Sequence, residues 1–325
     1  FFFIINIIFF YIFFFFFSIY SFVVNICNCI FMAFQINSIE KNTFKKSSIT
    51  KIVLPNNIQS LAEGWIYFCP KLVNISILKN NQSFSYIDDT FLVQKKNSDE
   101  MQLIYVRRDI DEAVVPSEVT RICNSSFSNC QNLWSVSFKD DSRLTSIAES
   151  AFESSSVRSL LIPDLVETIE EGWCNVTPNL VDVLLSPNNE HFIYVDNSLL
   201  LQKVKDPNGQ RIHLLFAARS LIDIEIPFKI TRICNSAFSY CEHLKSVIFT
   251  EGSQLESIGE YAFFNSSIET IKIPASVTTI EKGAFEWCEN LTLVDFELNS
   301  KLEFINDYAF YQSALTNIVI PSQVE

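Results

Sequence analysis

Glycine is scarce in this chain, with six residues in 325. That excludes a glycine-rich phosphate cradle, and neither G-x-S-x-G nor H-E-x-x-H occurs. Histidine is rarer still, at three residues, and no C-x-x-C pair is present among nine cysteines. Basic residues are outnumbered, 24 Lys and Arg against 37 Asp and Glu, a net charge of −13. Nucleic-acid binding needs a basic face, so that class is excluded. The acidity suits a soluble, self-repelling surface or a basic partner. A hydrophobic fraction of 48% excludes wholesale disorder.

Residues 1–34 lack charge, Gly, Pro and Leu, and carry thirteen Phe. Their length exceeds the roughly 20 apolar residues that span a bilayer. They lack the initial Met and basic n-region of a signal peptide. Three readings stand for this segment: an anchor, a signal, or translated upstream sequence with Met32 as the start. A membrane contact is expected only if the segment is genuine.

What is present from residue 35 onward is a repeat. An apolar triplet of the form L-x-x-I-x-I begins at Ile49, Leu72, Ile110, Leu133, Val157, Leu180, Leu221, Leu244, Ile268, Leu291 and Leu315. Apart from the steps Leu72 to Ile110 and Leu180 to Leu221, successive starts are equally spaced to within one position. A second pattern precedes most triplets: two apolar residues three apart, then a small residue and an aromatic one. Examples are Leu144-Ile147-Ala151-Phe152 and Val277-Ile280-Ala284-Phe285, with Trp in Leu61-Gly64-Trp65 and Ile169-Gly172-Trp173. Each triplet reads as a short strand stacked about 4.8 Å from its neighbours. The Ile-x-x-x-Ala-Phe segment is expected to return the chain as one or two helical turns. Six strands end in Pro (Pro55, Pro116, Pro163, Pro227, Pro274 and Pro321), where a ladder donor is no longer needed. One coil buries too little to fold alone, so stacking carries the stability.

The two long steps hold matching inserts. Phe84–Asp88, Phe91–Lys95 and Leu103–Tyr105 correspond to Phe192–Asp196, Leu199–Lys203 and Leu214–Phe216. The turns are placed at Asn97-Ser98-Asp99 and at Asp206-Pro207-Asn208-Gly209. Thr-Arg-Ile-Cys-Asn-Ser also recurs, at Thr120–Ser125 and Thr231–Ser236, so a block spanning a third of the chain is duplicated. Each insert is expected to replace its coil's helical arc and to project from the convex side or an edge.

The run Ile273-Pro-x-x-Val277-x-x-Ile280-x-x-x-Ala284-Phe285-x-x-Cys288-x-x-Leu291 resembles the BspA-type leucine-rich repeat of bacterial and protozoan surface antigens. The resemblance covers about residues 36–325. It implies an α/β solenoid: a right-handed leucine-rich-repeat superhelix with a curved parallel sheet of about eleven short strands and two β-hairpin inserts. The segments are then an apolar 1–34 and a solenoid at 35–325, with inserts at about 80–108 and 187–219. The implied function is a non-catalytic binding or adhesion module for a protein or glycan, at the cell surface or secreted. The alternative is an intracellular scaffold for protein–protein interaction, cytoplasmic if translation starts at Met32. No cofactor, metal or catalytic residue is expected.

Outward strand positions nominate a partner-binding face: Leu161, Asp182, Leu184, Asp223, Glu225, Ser246, Ile248 and Lys272. The acids Asp182, Asp223 and Glu225 are expected to lie together beside Leu161 and Leu184. Cys130, Cys241 and Cys288 occupy one repeat position in non-adjacent coils, which reads as buried free thiols. Cys27 and Cys29 fall in the apolar segment. His191, His213 and His243 lack a partner at ligand spacing and read as surface residues. Asp88-Asp89 and Asp140-Asp141 read as turn acids. Sequons occur at Asn74, Asn81, Asn124, Asn175, Asn265 and Asn290, with Asn74 and Asn290 expected to be poorly accessible beside strands. The chain stops after opening a further coil at Pro321, so two outcomes are expected: either the gene model is truncated, or the uncapped stack associates through its edge.

Overall fold

A computed structural model describes residues 29–31, 36–196, 198–207 and 209–324. The chain falls into two compact units, Phe1–Tyr86 and Ile87–Glu325. In the first, strands Lys51–Leu54 and Asn74–Ile77 pair in parallel. Cys29–Phe31, upstream of the solenoid boundary drawn from the sequence, adds a parallel neighbour to Lys51–Val53. In the second unit the triplets build two four-stranded parallel sheets. One holds Glu112–Val115, Ser135–Phe138, Ser159–Ile162 and Asp182–Leu185; the other holds Asp223–Ile226, Ser246–Phe249, Thr270–Ile273 and Leu293–Phe296. Burial alternates along each strand, as the two-residue period of an extended chain requires. The eleventh triplet forms no strand, although Leu315 and Ile318 pack half-buried against the core.

The arc expected to be helical is not helical, and no helix occurs among the described residues. Its apolar Ile instead enters a second parallel ladder of mostly two-residue strands. In the second unit these include Arg121–Ile122, Ser146–Ile147 and Thr168–Ile169, then Ile230–Ile233, Ser257–Ile258, Thr279–Ile280 and Phe304–Ile305. The following Ala-Phe turn bonds across coils. Phe127 N–H donates to Ala151 O at 2.8 Å, Phe238 to Ala262 at 2.7 Å and Phe263 to Ala284 at 2.7 Å. Amides spent on the next coil cannot close i→i−4 bonds. Left-handed residues on either side of the ring, such as Ser125 and Asn129 or Tyr261 and Asn265, also stop a helix. In the Trp coils the turn is one residue shorter, and a left-handed glycine (Gly64, Gly172) supplies the reversal.

The buried aromatics form columns at the coil spacing. Phe127 stacks on Phe152 at 4.8 Å, and Phe238, Phe263, Phe285 and Phe310 follow one another at 4.8, 5.0 and 5.3 Å, all nearly parallel.

The inserts do not merely project. Met101–Val106 pairs antiparallel with Phe91–Lys95 and in parallel with Arg121–Ile122, so it is itself a member of the second ladder. Gly209–Ala217 does the same between Leu199–Asp206 and Ile230–Ile233. The reason is burial: Phe91, Val93, Leu103 and Val106 lie in the core. The turn residue Asn208 lies outside the described residues, as does Asn197. Within the insert coils Tyr105 and Phe216 provide large buried rings, and the residue three further on is a buried arginine. Arg108 lies 4.6 Å over the Tyr105 ring and Arg219 4.7 Å over Phe216. Their guanidiniums donate to backbone carbonyls, Arg108 to Ser126 O and Arg219 to Ala237 O, each at 2.8 Å.

Candidate binding surface

The long strands expose every second side chain because the inward set fills the core. Leu161, Asp182, Leu184, Asp223, Glu225, Ile248 and Lys272 are exposed and Ser246 is half-exposed. Leu161 sits opposite Leu184 in register, making an apolar pair 42% and 53% exposed. Glu225 sits opposite Ile248, which is 58% exposed. Ser246 Oγ donates to Asp223 Oδ1 at 2.6 Å, which pins that carboxylate to the sheet.

The residues nominated as one patch belong to two hydrogen-bonded sheets. Leu161, Asp182 and Leu184 belong to one four-stranded sheet; Asp223, Glu225, Ser246, Ile248 and Lys272 belong to the other. Strand Asp182–Leu185 and strand Asp223–Ile226 are not hydrogen-bonded neighbours, because the second insert occupies the chain between them. Tyr194 from that insert reaches the backbone of Val183 and lies close to Asp182. The first sheet is the more apolar, carrying exposed Val114, Trp134 and Val181 as well. The second adds Ile222 and Leu293. Trp134, Val181 and Ile222 each follow directly on the first apolar residue of a triplet. Sequence reasoning counted only the later outward positions and missed them. An open groove of about 560 Å³ lies beside the first insert's tip, lined by Asn97, Asp99, Glu100, Arg143 and Leu165 among others.

Cys69, Cys123, Cys130, Cys174, Cys234, Cys241 and Cys288 are buried and free. Cys27 and the side chain of Cys29 lie outside the described residues. Burial pushes the Cys174 and Cys288 thiols up to about 11. Folded protein is therefore expected to leave all seven unlabelled by iodoacetamide, whereas denatured protein labels them all. Rapid native labelling at any one, mapped by peptide mass spectrometry, would contradict its placement. The sequons are also rearranged by the structure. Asn124 is buried, and Asn81 Nδ2 is committed to Pro55 O and Ile58 O, each at 3.1 Å. Asn74 and Asn290, expected to be poorly accessible, are exposed.

His191 and His243 are at the surface, but His213 is not a free surface residue. It is half-buried on strand Gly209–Ala217 beside Glu171 and Cys234, from neighbouring coils. Arg232 spans this group. Its Nε and one terminal nitrogen donate to the two Glu171 oxygens at 2.8 and 2.9 Å, and Glu281 receives a second bidentate pair at 2.6 and 3.1 Å. Burial lowers the His213 pKa, partly opposed by Glu171. Each member comes from a different coil, and that distance along the chain hid the grouping. Asp88-Asp89 and Asp140-Asp141 remain turn acids, with left-handed backbone at both Asp88 and Asp89.

Stacked coils of nearly constant length, with parallel strands presenting apolar and acidic side chains to solvent, define a solenoid of the leucine-rich-repeat class. The chain belongs to the BspA-type leucine-rich repeat family, whose repeat region matches residues 17–99, 102–199 and 213–325 in six copies. Among solved structures it is similar to the pneumococcal vaccine antigen PcpA, at 18% identity and a TM-score of 0.51, covering 89% of this chain and 78% of that one. A leucine-rich repeat protein of Eubacterium ventriosum matches at 18% identity and 0.51, covering 85% and 80%. A leucine rich cell surface protein of Faecalibacterium prausnitzii matches at 21% identity and 0.46, covering 81% and 83%. The likenesses to PcpA and to the Eubacterium ventriosum protein show the fold. No curated protein matches the chain at a significant level. No helix among the described residues is long and apolar enough to cross a membrane.

Proposed function

We propose that this protein is a non-catalytic recognition module at the cell surface or outside the cell, which binds a protein or glycan through the outward faces of its long-strand sheets. One observation carries the reading: Leu161, Leu184 and Ile248 are each more than two-fifths exposed on rigid strands, beside Asp182, Asp223 and Glu225. The part of each apolar side chain left in solvent adds nothing to folding and gains on contact with a partner. The flanking carboxylates, with a net charge of −13, favour a partner with a basic rim. The repeat family and the likeness to a pneumococcal vaccine antigen support the setting.

The test compares partner capture by wild type, by Asp223→Lys with Glu225→Lys, and by Leu161→Asp with Leu184→Asp. One double variant should lose the partner more than about tenfold in affinity, the equivalent of about 1.4 kcal/mol. The sheet that fails is the one that binds. Unchanged capture by both removes the sheet faces from consideration. Biotinylation of intact cells distinguishes this setting from an intracellular scaffold, which would stay unlabelled.

A further inference from the structure

The geometry points to a divalent-cation site of the zinc type formed by Glu171, His213 and Cys234, on the second-ladder flank of the solenoid. One ligating atom from each residue lies within 4.8 Å of the other two. A carboxylate, an imidazole and a thiolate are the donor set that suits zinc. Ligand atoms around a four-coordinate zinc stand roughly 3.3–3.7 Å apart, given bonds of about 2.0–2.3 Å. The three groups therefore stand about 1 Å wider than a bound ion would draw them, and Glu171 would exchange its bonds to Arg232 and the Asn235 N–H for the ion. Glu171 and His213 are partly exposed and offer the entry side, while Cys234 closes the buried side.

Arg232 is the obvious competitor, since it holds both oxygens of Glu171. Its two terminal nitrogens have other acceptors, and only Nε would have to exchange Glu171 for water. With Glu171 withdrawn, Arg232 keeps its bidentate pairing with Glu281, and it also donates to Ser257 Oγ at 2.8 Å and Asn235 Oδ1 at 3.2 Å. Charge favours the ion as well. Glu171, Glu281 and Arg232 together carry one net negative charge while His213 and Cys234 are neutral. When a divalent ion binds, the Cys234 S–H bond breaks, its proton leaves to solvent and a metal–sulfur bond forms. The cluster is then neutral.

The duplicated block provides an internal reference. Arg121 and Cys123 correspond to Arg232 and Cys234 in the recurring segment, but Gln102 stands where His213 does. There Cys123 Sγ donates to Gln102 Oε1 at 3.9 Å. Among the described residues the block without a histidine has no such donor set, and the block with one does.

The experiment titrates metal-free full-length protein with zinc chloride by calorimetry, and with cobalt(II) by absorption, where thiolate coordination gives a charge-transfer band. Wild type should bind one equivalent at this site, show the band, and melt at a higher temperature with zinc than without. His213→Gln copies the other block's side chain and so should keep the fold; it should lose that equivalent and the thermal shift. Cys234→Ser should lose the charge-transfer band. Binding absent from wild type overturns the proposal. So does an equivalent that survives His213→Gln, which places the ion elsewhere. A failed partner-capture test leaves this result untouched, because none of the three ligands belongs to a long-strand sheet.

Discussion

Phe263→Ala is expected to destabilise the second unit by about 3–5 kcal/mol, the range for removing a buried phenylalanine. Phe263 is fully buried between Phe238 and Phe285, with ring centroids at 4.8 and 5.0 Å and interplanar angles of 5° and 6°. Truncation opens a cavity, and it also removes two stacked contacts worth about 0.5–1.5 kcal/mol each beyond area burial. In a stack stabilised by nearest-neighbour coupling, that loss separates the coils above from those below. Urea unfolding followed by circular dichroism should show a lower midpoint and a broadened or divided transition. Phe238→Ala combined with Phe263→Ala should cost less than the two singles summed, because both delete one shared interface. Phe152→Ala belongs to a different stacked pair and should add to Phe263→Ala independently. A Phe263→Ala cost below about 1 kcal/mol would mean the column is filler and carries no coupling between coils.

The second large effect concerns the buried arginines. Arg219→Ala is expected to cost about 2–4 kcal/mol, and Arg219→Met about half of that. Arg219 is 4% exposed, packed over Phe216, and donates to Ala217 O, Ala237 O and the Cys241 sulfur. Ala237 O also accepts the Ala217 N–H at 3.0 Å, so removal of the guanidinium does not orphan it. What is lost is chiefly packing volume and the cation–π contact, and Met restores most of the volume. Arg108 over Tyr105 should respond in parallel. Thermal or urea unfolding of both variants checks this. If Met is as damaging as Ala, the charged hydrogen bonds hold the insert coil, and the packing account is wrong.

Much of this architecture was legible because the repeat is long and its periods are simple. The triplet starts from Ile49 to Leu291 each led into a long strand, since alternating inward side chains must meet those of the next coil. The duplicated inserts were visible as well, because Phe192–Asp196 copies Phe84–Asp88 in kind. The returning arc was not legible. Ile-x-x-x-Ala-Phe carries apolar spacing compatible with a helix, but its amides bond to the neighbouring coil, a partner that sequence spacing does not represent. Leu315 departs in the opposite sense: its triplet is sound, yet no strand forms there. The nominated surface residues are exposed, but their division between two sheets depends on where the second insert enters the stack.

The amino-acid sequence alone determined the repeat length, the inward apolar positions, the burial of the Cys130, Cys241 and Cys288 thiols and the acidic balance of the chain. All of these follow from local periodicity and side-chain solubility. The tertiary structure decided which distant residues became neighbours. Only stacking sets Glu171, His213 and Cys234 side by side, places Arg219 over Phe216, and turns an expected helix into a second ladder. The physical reason is that coil-to-coil hydrogen bonds and ring contacts act across the stack, between residues one or more coils apart, where no local pattern records them.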